Sequence, residues 1–296
     1  MAGTVHVRVP ATSANLGPGF DTAGLALSLY DELEARVTSG GVSVRVFGEG
    51  AETLPRDARH LVIASMRAAF KLMGGQPPGL AISCVNRIPQ SRGLGSSSAA
   101  ICAGLLAARA LVEDGQEQLD DDALLQLANH LEGHPDNVAP CLLGGLTFAW
   151  DKPVHVLRLD VHAQLAPMAF VPPTRSSTKA VRGLLPARVP FTDAAANAGR
   201  AALLSTALTE APELLHAATQ DWLHQRYRAR AMPETAQLVE SLRAAGFAAA
   251  VSGAGPSVLV LGIADAVEAA AEHIPPDWQV LRLAVNSVGA TVWMTA

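Results

Sequence analysis

No two cysteines stand in CxxC spacing, no long run of like charge occurs, and no apolar stretch is long enough to span a bilayer. The three thiols, Cys84, Cys102 and Cys141, are scattered and odd in number, which argues against a cysteine metal site and a disulfide framework. Reduced, buried thiols are the expectation. The first ten residues, MAGTVHVRVP, hold neither a basic n-region nor an apolar h-region, so no signal peptide is expected. The net charge is −5, which argues against nucleic acid as the main partner, since such domains carry a basic face. No internal repeat and no low-complexity tract occurs. What remains is a soluble, cytoplasmic, globular protein with no membrane partner. Of its 296 residues, 49% are hydrophobic and 17% charged, enough apolar matter for a real core. One large or two small domains fit that length.

Val5, Val7 and Val9 alternate with His6 and Arg8, the pattern of a half-buried strand. Val42, Val44 and Val46 repeat it, and 80–85 reads as a third strand. Helical spacing runs through 61–73, from Ile101 to Val112, and from Leu124 to Leu131, the last ending in Glu132 and a turn, GHPDN. Residues 22–40 receive no assignment. Further strands are expected at 146–150, 154–159, 165–171, 247–251, 258–261, 278–285 and 290–295. Helices are expected near 193–209, 213–230, 234–245 and 264–273. Strands mixed irregularly with helices predict an α+β fold, and Asp151-Lys152-Pro153 is a candidate boundary.

The segment that carries chemistry is PQSRGLGSSSAA, residues 89–100. Gly93 and Gly95 let backbone approach a phosphate without a Cβ in the way. Ser96, Ser97 and Ser98 then open a helix, whose free N–H groups and macrodipole suit an anion. An ordinary glycine turn followed by a serine cap explains the same residues, and both readings stay open on the residues alone. A Walker A loop is excluded because no GK[ST] follows, and the dinucleotide pattern fails because Ser98 stands at its third glycine.

PxxxGLGSSSAA resembles the central motif of the GHMP small-molecule kinases. PATSANLGPGFD (10–21) is similar to that family's first motif and SGAGPS (252–257) to its third, in the expected order. LEGHPDNVAPCLLGG (131–145), STKAVRGLLP (177–186) and LHQRYR (223–228) are most similar to the branch whose acceptor is homoserine. The resemblance covers nearly the whole chain. It implies a two-domain GHMP kinase fold: residues 1–153 like the second domain of ribosomal protein S5, residues 154–296 ferredoxin-like, and the site between them. It implies ATP-dependent phosphorylation of L-homoserine to O-phospho-L-homoserine in threonine biosynthesis, and a homodimer as one possible assembly.

Carried over residue by residue, the resemblance implies ATP contacts at Leu61, Pro89, Arg92, Gly93, Leu94, Gly95, Ser96, Ser97 and Ser98. It implies Mg²⁺ on Ser97 and Glu132, hard oxygens for a hard cation. Around the substrate or the transferred phosphate it places Asn15, Asp21, His134, Asn137, Thr178, Arg182 and Arg228, with Asn137 and Arg182 nearest the chemistry. A zwitterionic acceptor needs an acid for its ammonium, Asp21, and guanidinium forks for its carboxylate, Arg182 and Arg228. Those arginines sit in locally basic stretches, where a solvated face is the plain alternative. Asp136 is either a turn former or a supporting acid. Two departures stand out: His60 where asparagine is familiar beside the adenine, and Arg226 where proline is common. The rival readings are a GHMP kinase for a sugar or isoprenoid alcohol, a catalytically dead relative, and a structural protein of the same fold.

Overall fold

Residues 3–295 are described by a computed structural model. The larger of its two sheets follows the order β11-β1-β2-β4-β3, with β5 on β2 and β6 on β5. Its strands are β1 (Thr4–Ala14), β2 (Ala23–Thr38), β3 (Gly41–Gly48), β4 (Gly79–Asn86), β5 (Leu146–Trp150), β6 (His155–Leu159) and β11 (Thr291–Thr295). Among the described residues only β3 and β4 pair in parallel. The smaller sheet is antiparallel, in the order β10-β7-β9-β8, from β7 (Leu165–Val171), β8 (Ala248–Val251), β9 (Val258–Ile263) and β10 (Gln279–Arg282). Strands β6 and β11, from the second half of the sequence, complete the first sheet.

The alternation at Val5, Val7 and Val9 does put these three inward, at 0%, 0% and 1% exposure. β1 then continues past Pro10, through a register shift at Pro10/Ala11, and stays buried to Ala14. Opposite that shift, β2 changes character. Its residues 23–27 are buried on both faces, whereas 31–36 alternate. One strand with two burial patterns offers no single period, which is why 22–40 reads as nothing in particular.

Helix Ser96–Ala110 is buried almost all round, from Ser98 to Ala108. That is the pattern of a helix inside a core, and burying a side chain such as Leu105 contributes about 1.5–3 kcal/mol. It packs on helix Leu61–Leu72, and Gly104 is the contact: a Cβ there would run into the Val62 carbonyl and the Ser65 side chain. Helix Asp121–Glu132 is capped by the Asp120 carboxylate, which accepts from the Ala123 N–H at 2.8 Å.

Two expectations change. The GHPDN turn shrinks to Gly133 and His134, and Pro135 opens a further helix, Pro135–Leu143, at the position where proline's missing N–H does no harm. The single helix expected at 213–230 is broken into Pro212–Leu214, Leu215–Ala218, Gln225–Arg228 and Ala229–Ala231. The Thr219 hydroxyl bonds back to the Leu215 carbonyl, and the Asp221 carboxylate gathers the N–H groups of Leu223, His224 and Gln225. Both side chains offer the backbone an alternative to the helix.

Candidate active site

Three glycine-containing segments meet at one end of the larger sheet. The Thr12 N–H donates to the Leu94 carbonyl (3.1 Å), and the Gly253 N–H to the Ala14 carbonyl (3.1 Å). The Asn15 amide donates to the Gly253 carbonyl (2.9 Å), and the Ser252 hydroxyl to the Gly93 carbonyl (2.6 Å). Residues 10–21, 89–100 and 252–257 thus form one hydrogen-bonded unit. Gly93 and Gly95 serve that unit directly. Both have positive φ, and a Cβ would strike the Ser252 carbonyl at Gly93 and the Thr12 hydroxyl at Gly95. Left-handed backbone at Asn15, Leu16, Asp21 and Ser91 belongs to the same loops. Such concentrated strain marks functional sites.

Beside this unit lies a cavity of about 680 Å³. Gly95 stands just before helix Ser96–Ala110, and its carbonyl accepts the first helical bond, from the Ala99 N–H. The N–H groups of Ser96, Ser97 and Ser98 therefore lack a helical partner, at the positive end of the dipole. The Ser97 hydroxyl donates to Glu132 Oε1 at 2.7 Å. Glu132 is the last residue of its helix, where negative charge is disfavoured by about 0.3–1 kcal/mol. Two oxygen side chains, one anionic and misplaced for its own helix, side by side at an anion-binding helix start, suit a hard divalent cation.

One flank of the cavity is polar. Asn15, Asp21, His134, Asn137, Thr178, Arg182 and Arg228 all line it. Thr12 Oγ1 donates to Asn137 Oδ1 at 2.7 Å, and the Asn15 Oδ1 accepts the Asp21 N–H. His134 Nδ1 lies 2.8 Å from Asp136 Oδ1, and Asp136 is buried. Burial alone would push the His134 pKa down. The Asp136 hydrogen bond and charge, with Glu132 adding, outweigh it and hold the pKa above its ordinary value. Arg182 and Asp21 form a two-bonded ion pair. The Phe20 ring is in cation–π range of two guanidinia, with Arg182 and Arg228 each 5.3 Å from its centroid. Arg228 is 2% exposed; burial first, and then the Arg182 charge, lower its pKa.

The cavity also has apolar lining: Val9, Leu33, Leu54, Leu61 and Val62, with Pro89 from the loop. His60 is set into this lining, 3% exposed, with both ring nitrogens lacking a partner. Desolvation lowers its pKa. Asp31 also lines the cavity and accepts from the Arg87 and Ile88 N–H groups, at 2.6 and 2.9 Å. Burial raises its pKa to about 6 despite those bonds.

Two of the side chains expected at the nucleotide do not line the cavity. Arg92 commits its guanidinium to the carbonyls of Pro172, Gln90 and Pro173, each at 3.0 Å, and so ties the loop to the segment that leads into 178–182. The Ser98 side chain is fully buried with its hydroxyl unpartnered, which leaves only its N–H at the helix start. The basic stretches divide likewise. Arg175, Lys179 and Arg182 line the cavity, whereas Arg226 pairs with Asp193 and stacks on Tyr227 at the surface. Thr12, Phe20, Asp31 and His224 also belong to the site's framework: Thr12 and Phe20 lie inside the 10–21 motif and His224 inside LHQRYR, though the sequence gives them no role there, and Asp31 lies in no motif.

Residues 60–145 match the model of the GHMP kinases N terminal domain and residues 198–278 that of the GHMP kinases C terminal domain. The homoserine kinase of Streptomyces coelicolor is 56% identical over 293 residues, 98% of this chain and 95% of the relative. The chain belongs to the GHMP kinases. Among solved structures, homoserine kinase from Cytophaga hutchinsonii superposes with a TM-score of 0.85 at 28% identity, covering 98% of this chain and 97% of the other. A putative homoserine kinase from Listeria monocytogenes gives 0.77 at 30% identity, covering 99% and 100%. The two-domain α+β architecture of this GHMP kinase is the one expected from its three motifs. No helix among the described residues is long and apolar enough to cross a membrane.

Proposed function

We propose that this GHMP kinase transfers the γ-phosphate of ATP to the side-chain hydroxyl of L-homoserine, giving O-phospho-L-homoserine for threonine biosynthesis in the cytoplasm. The observation that carries the reading is a cavity lined by an anion-binding helix start, with the Asp21 carboxylate and the Arg182 and Arg228 guanidinia among its polar side chains. The triphosphate lies along Gly93–Ser97, against the free N–H groups of the helix. Ser97 and Glu132 would hold Mg²⁺, which would supply neutralisation of phosphate charge. The apolar lining takes the base.

Asp21 receives the acceptor's ammonium, and Arg228 with Arg182 its carboxylate. The acceptor hydroxyl oxygen bonds to the γ-phosphorus as the bond to the ADP oxygen breaks, and the hydroxyl proton is released. Asn137, a neutral amide already accepting from Thr12, takes no proton. His134, with its raised pKa, keeps positive charge over a wider pH range and favours the phosphate's charge over proton abstraction. Catalysis here is positioning and electrostatics.

The test is ADP release with Mg-ATP and a panel of homoserine, serine, threonine, galactose and mevalonate. Homoserine should give by far the largest kcat/KM. Turnover of galactose or mevalonate alone would overturn the acceptor and spare the phosphotransfer.

A further inference from the structure

His224 has no task in the reaction above, yet it is completely buried against Arg228, which lines the cavity. Its Nε2 lies 2.9 Å from the Gly17 carbonyl oxygen. A carbonyl only accepts, so Nε2 carries the proton. The neutral ring then offers Nδ1 as an acceptor, and Nδ1 lies 3.2 Å from Arg228 Nη1. One tautomer satisfies both contacts. A protonated ring would turn a second N–H toward a guanidinium and lose that bond.

The surroundings fix the ring in place. Asp221 Oδ2 accepts the His224 N–H at 3.0 Å, and Asp221 Oδ1 lies 3.5 Å from Nε2. Phe20 tilts over the imidazole with centroids 5.2 Å apart, the same ring that stands beside Arg228. Burial lowers the His224 pKa against the pull of Asp221, and the Arg228 charge adds to the lowering, so the ring stays neutral. Arg228 Nη1 also donates to the Gly253 carbonyl at 3.2 Å, and that carbonyl accepts from Asn15 as well. Nη1 is thereby fully engaged with the protein, and the fork has donors left over for a ligand.

We propose that His224 is a positioning residue for acceptor recognition: as the Nε2–H tautomer it holds Arg228 Nη1 and so aims the remaining guanidinium donors at the acceptor's carboxylate. The inference rests on the reading of the acceptor as an amino acid. A flexible arginine would lose entropy on gripping a carboxylate; one pinned by His224 and Gly253 has already lost it.

Two amide substitutions separate the two ring contacts. In His224→Asn the side-chain oxygen can stand where Nδ1 accepts; in His224→Gln the amide nitrogen can reach Gly17 but nothing accepts from Arg228. H224Q should raise the homoserine KM at least tenfold, and H224N should recover most of that loss. The ATP KM should stay within about twofold in both. Inhibition by 3-amino-1-propanol, which lacks the carboxylate, should be unchanged by H224Q. Equal effects of the two variants, or an H224Q effect that falls equally on ATP or on the amino alcohol, would overturn the proposal. A ¹⁵N spectrum of the histidine-labelled wild type needs no variant to fold: an Nδ1–H or doubly protonated His224 between pH 6.5 and 8 refutes it. Failure of the wild type to turn over homoserine would instead remove the acceptor reading, with the tautomer still decided.

Discussion

Asp21 and Arg182 close on each other through two parallel hydrogen bonds, 2.6 Å from Nη2 to Oδ1 and 2.8 Å from Nη1 to Oδ2. The sequence assigns these residues to the two opposite charges of one zwitterion; the fold pairs them with each other. Their side chains are 35% and 38% exposed, so the pair is screened and contributes about 0–1 kcal/mol. An incoming amino acid brings one charge of each sign and can exchange with the pair without stranding either. A neutral alcohol cannot.

Asp21→Asn is the informative change, because asparagine accepts the positive φ of 56° found there. The variant should fold normally and keep its ATP KM, while the homoserine KM rises at least tenfold. Steady-state kinetics with both substrates varied would check this. An unmoved homoserine KM would exclude Asp21 from the ammonium.

Gly95→Ala should cost both stability and activity. A left-handed alanine costs about 1–2 kcal/mol, and its Cβ would displace the Thr12 hydroxyl that holds Asn137. Denaturant melts should report a loss of about 1–3 kcal/mol in total, within the usual range for strained backbone. kcat should fall at least a hundredfold, because loop and Asn137 move together. A variant that melts earlier but keeps its kcat would detach the Thr12–Asn137 contact from catalysis.

Much of this is readable from residues alone, and the boundary has a physical basis. Glycines and clustered hydroxyls announce themselves in PQSRGLGSSSAA because few other roles need them at that spacing. The valine alternation locates β1 for the same reason. Asp21 and Arg182 are 161 positions apart, and nothing local says that two opposite charges will meet. Arg92 lies inside the motif yet serves three carbonyls, since a guanidinium satisfies backbone as readily as phosphate. His224 and Thr12 lie inside the motif segments, but nothing in their sequence neighbours says what each will face, and only the fold reveals the Arg228 and Asn137 contacts. The segment 213–230 misleads through Thr219 and Asp221, whose side chains compete with the helix they interrupt.

Asp31 predicts an unusual pH dependence. Its folded pKa is raised to about 6 from 3.8, so the folded state holds the proton more tightly than the unfolded one. The resulting stabilisation is complete below about pH 4 and is lost as pH rises through about 6. At pH 7.5 the buried carboxylate therefore costs the fold about 1–3 kcal/mol, because each tenfold difference in proton affinity between the two states is worth about 1.4 kcal/mol. Asp31→Asn keeps an oxygen for the Arg87 and Ile88 N–H groups and removes the charge. Melting curves across pH should show the variant more stable than wild type at pH 7.5, the gap closing by pH 4. A gap that is constant with pH would mean Asp31 does not titrate as described.

The Ser97–Glu132 pair yields the last prediction. Glu132 sits at the wrong end of its helix dipole, so removing its charge should leave the fold no weaker, or slightly more stable. Glu132→Gln should accordingly melt within about 1 kcal/mol of wild type, the range of a dipole effect. Its kcat should drop at least a hundredfold, and the Mg²⁺ concentration for half-maximal rate should rise at least tenfold at fixed ATP. Ser97→Ala removes a neutral ligand and should shift the same Mg²⁺ titration by less. Mn²⁺, which tolerates a weaker oxygen set, should restore part of the rate in both. An E132Q variant with a wild-type Mg²⁺ titration would leave Glu132 as nothing more than a cap for Ser97, and the metal would have to be held elsewhere.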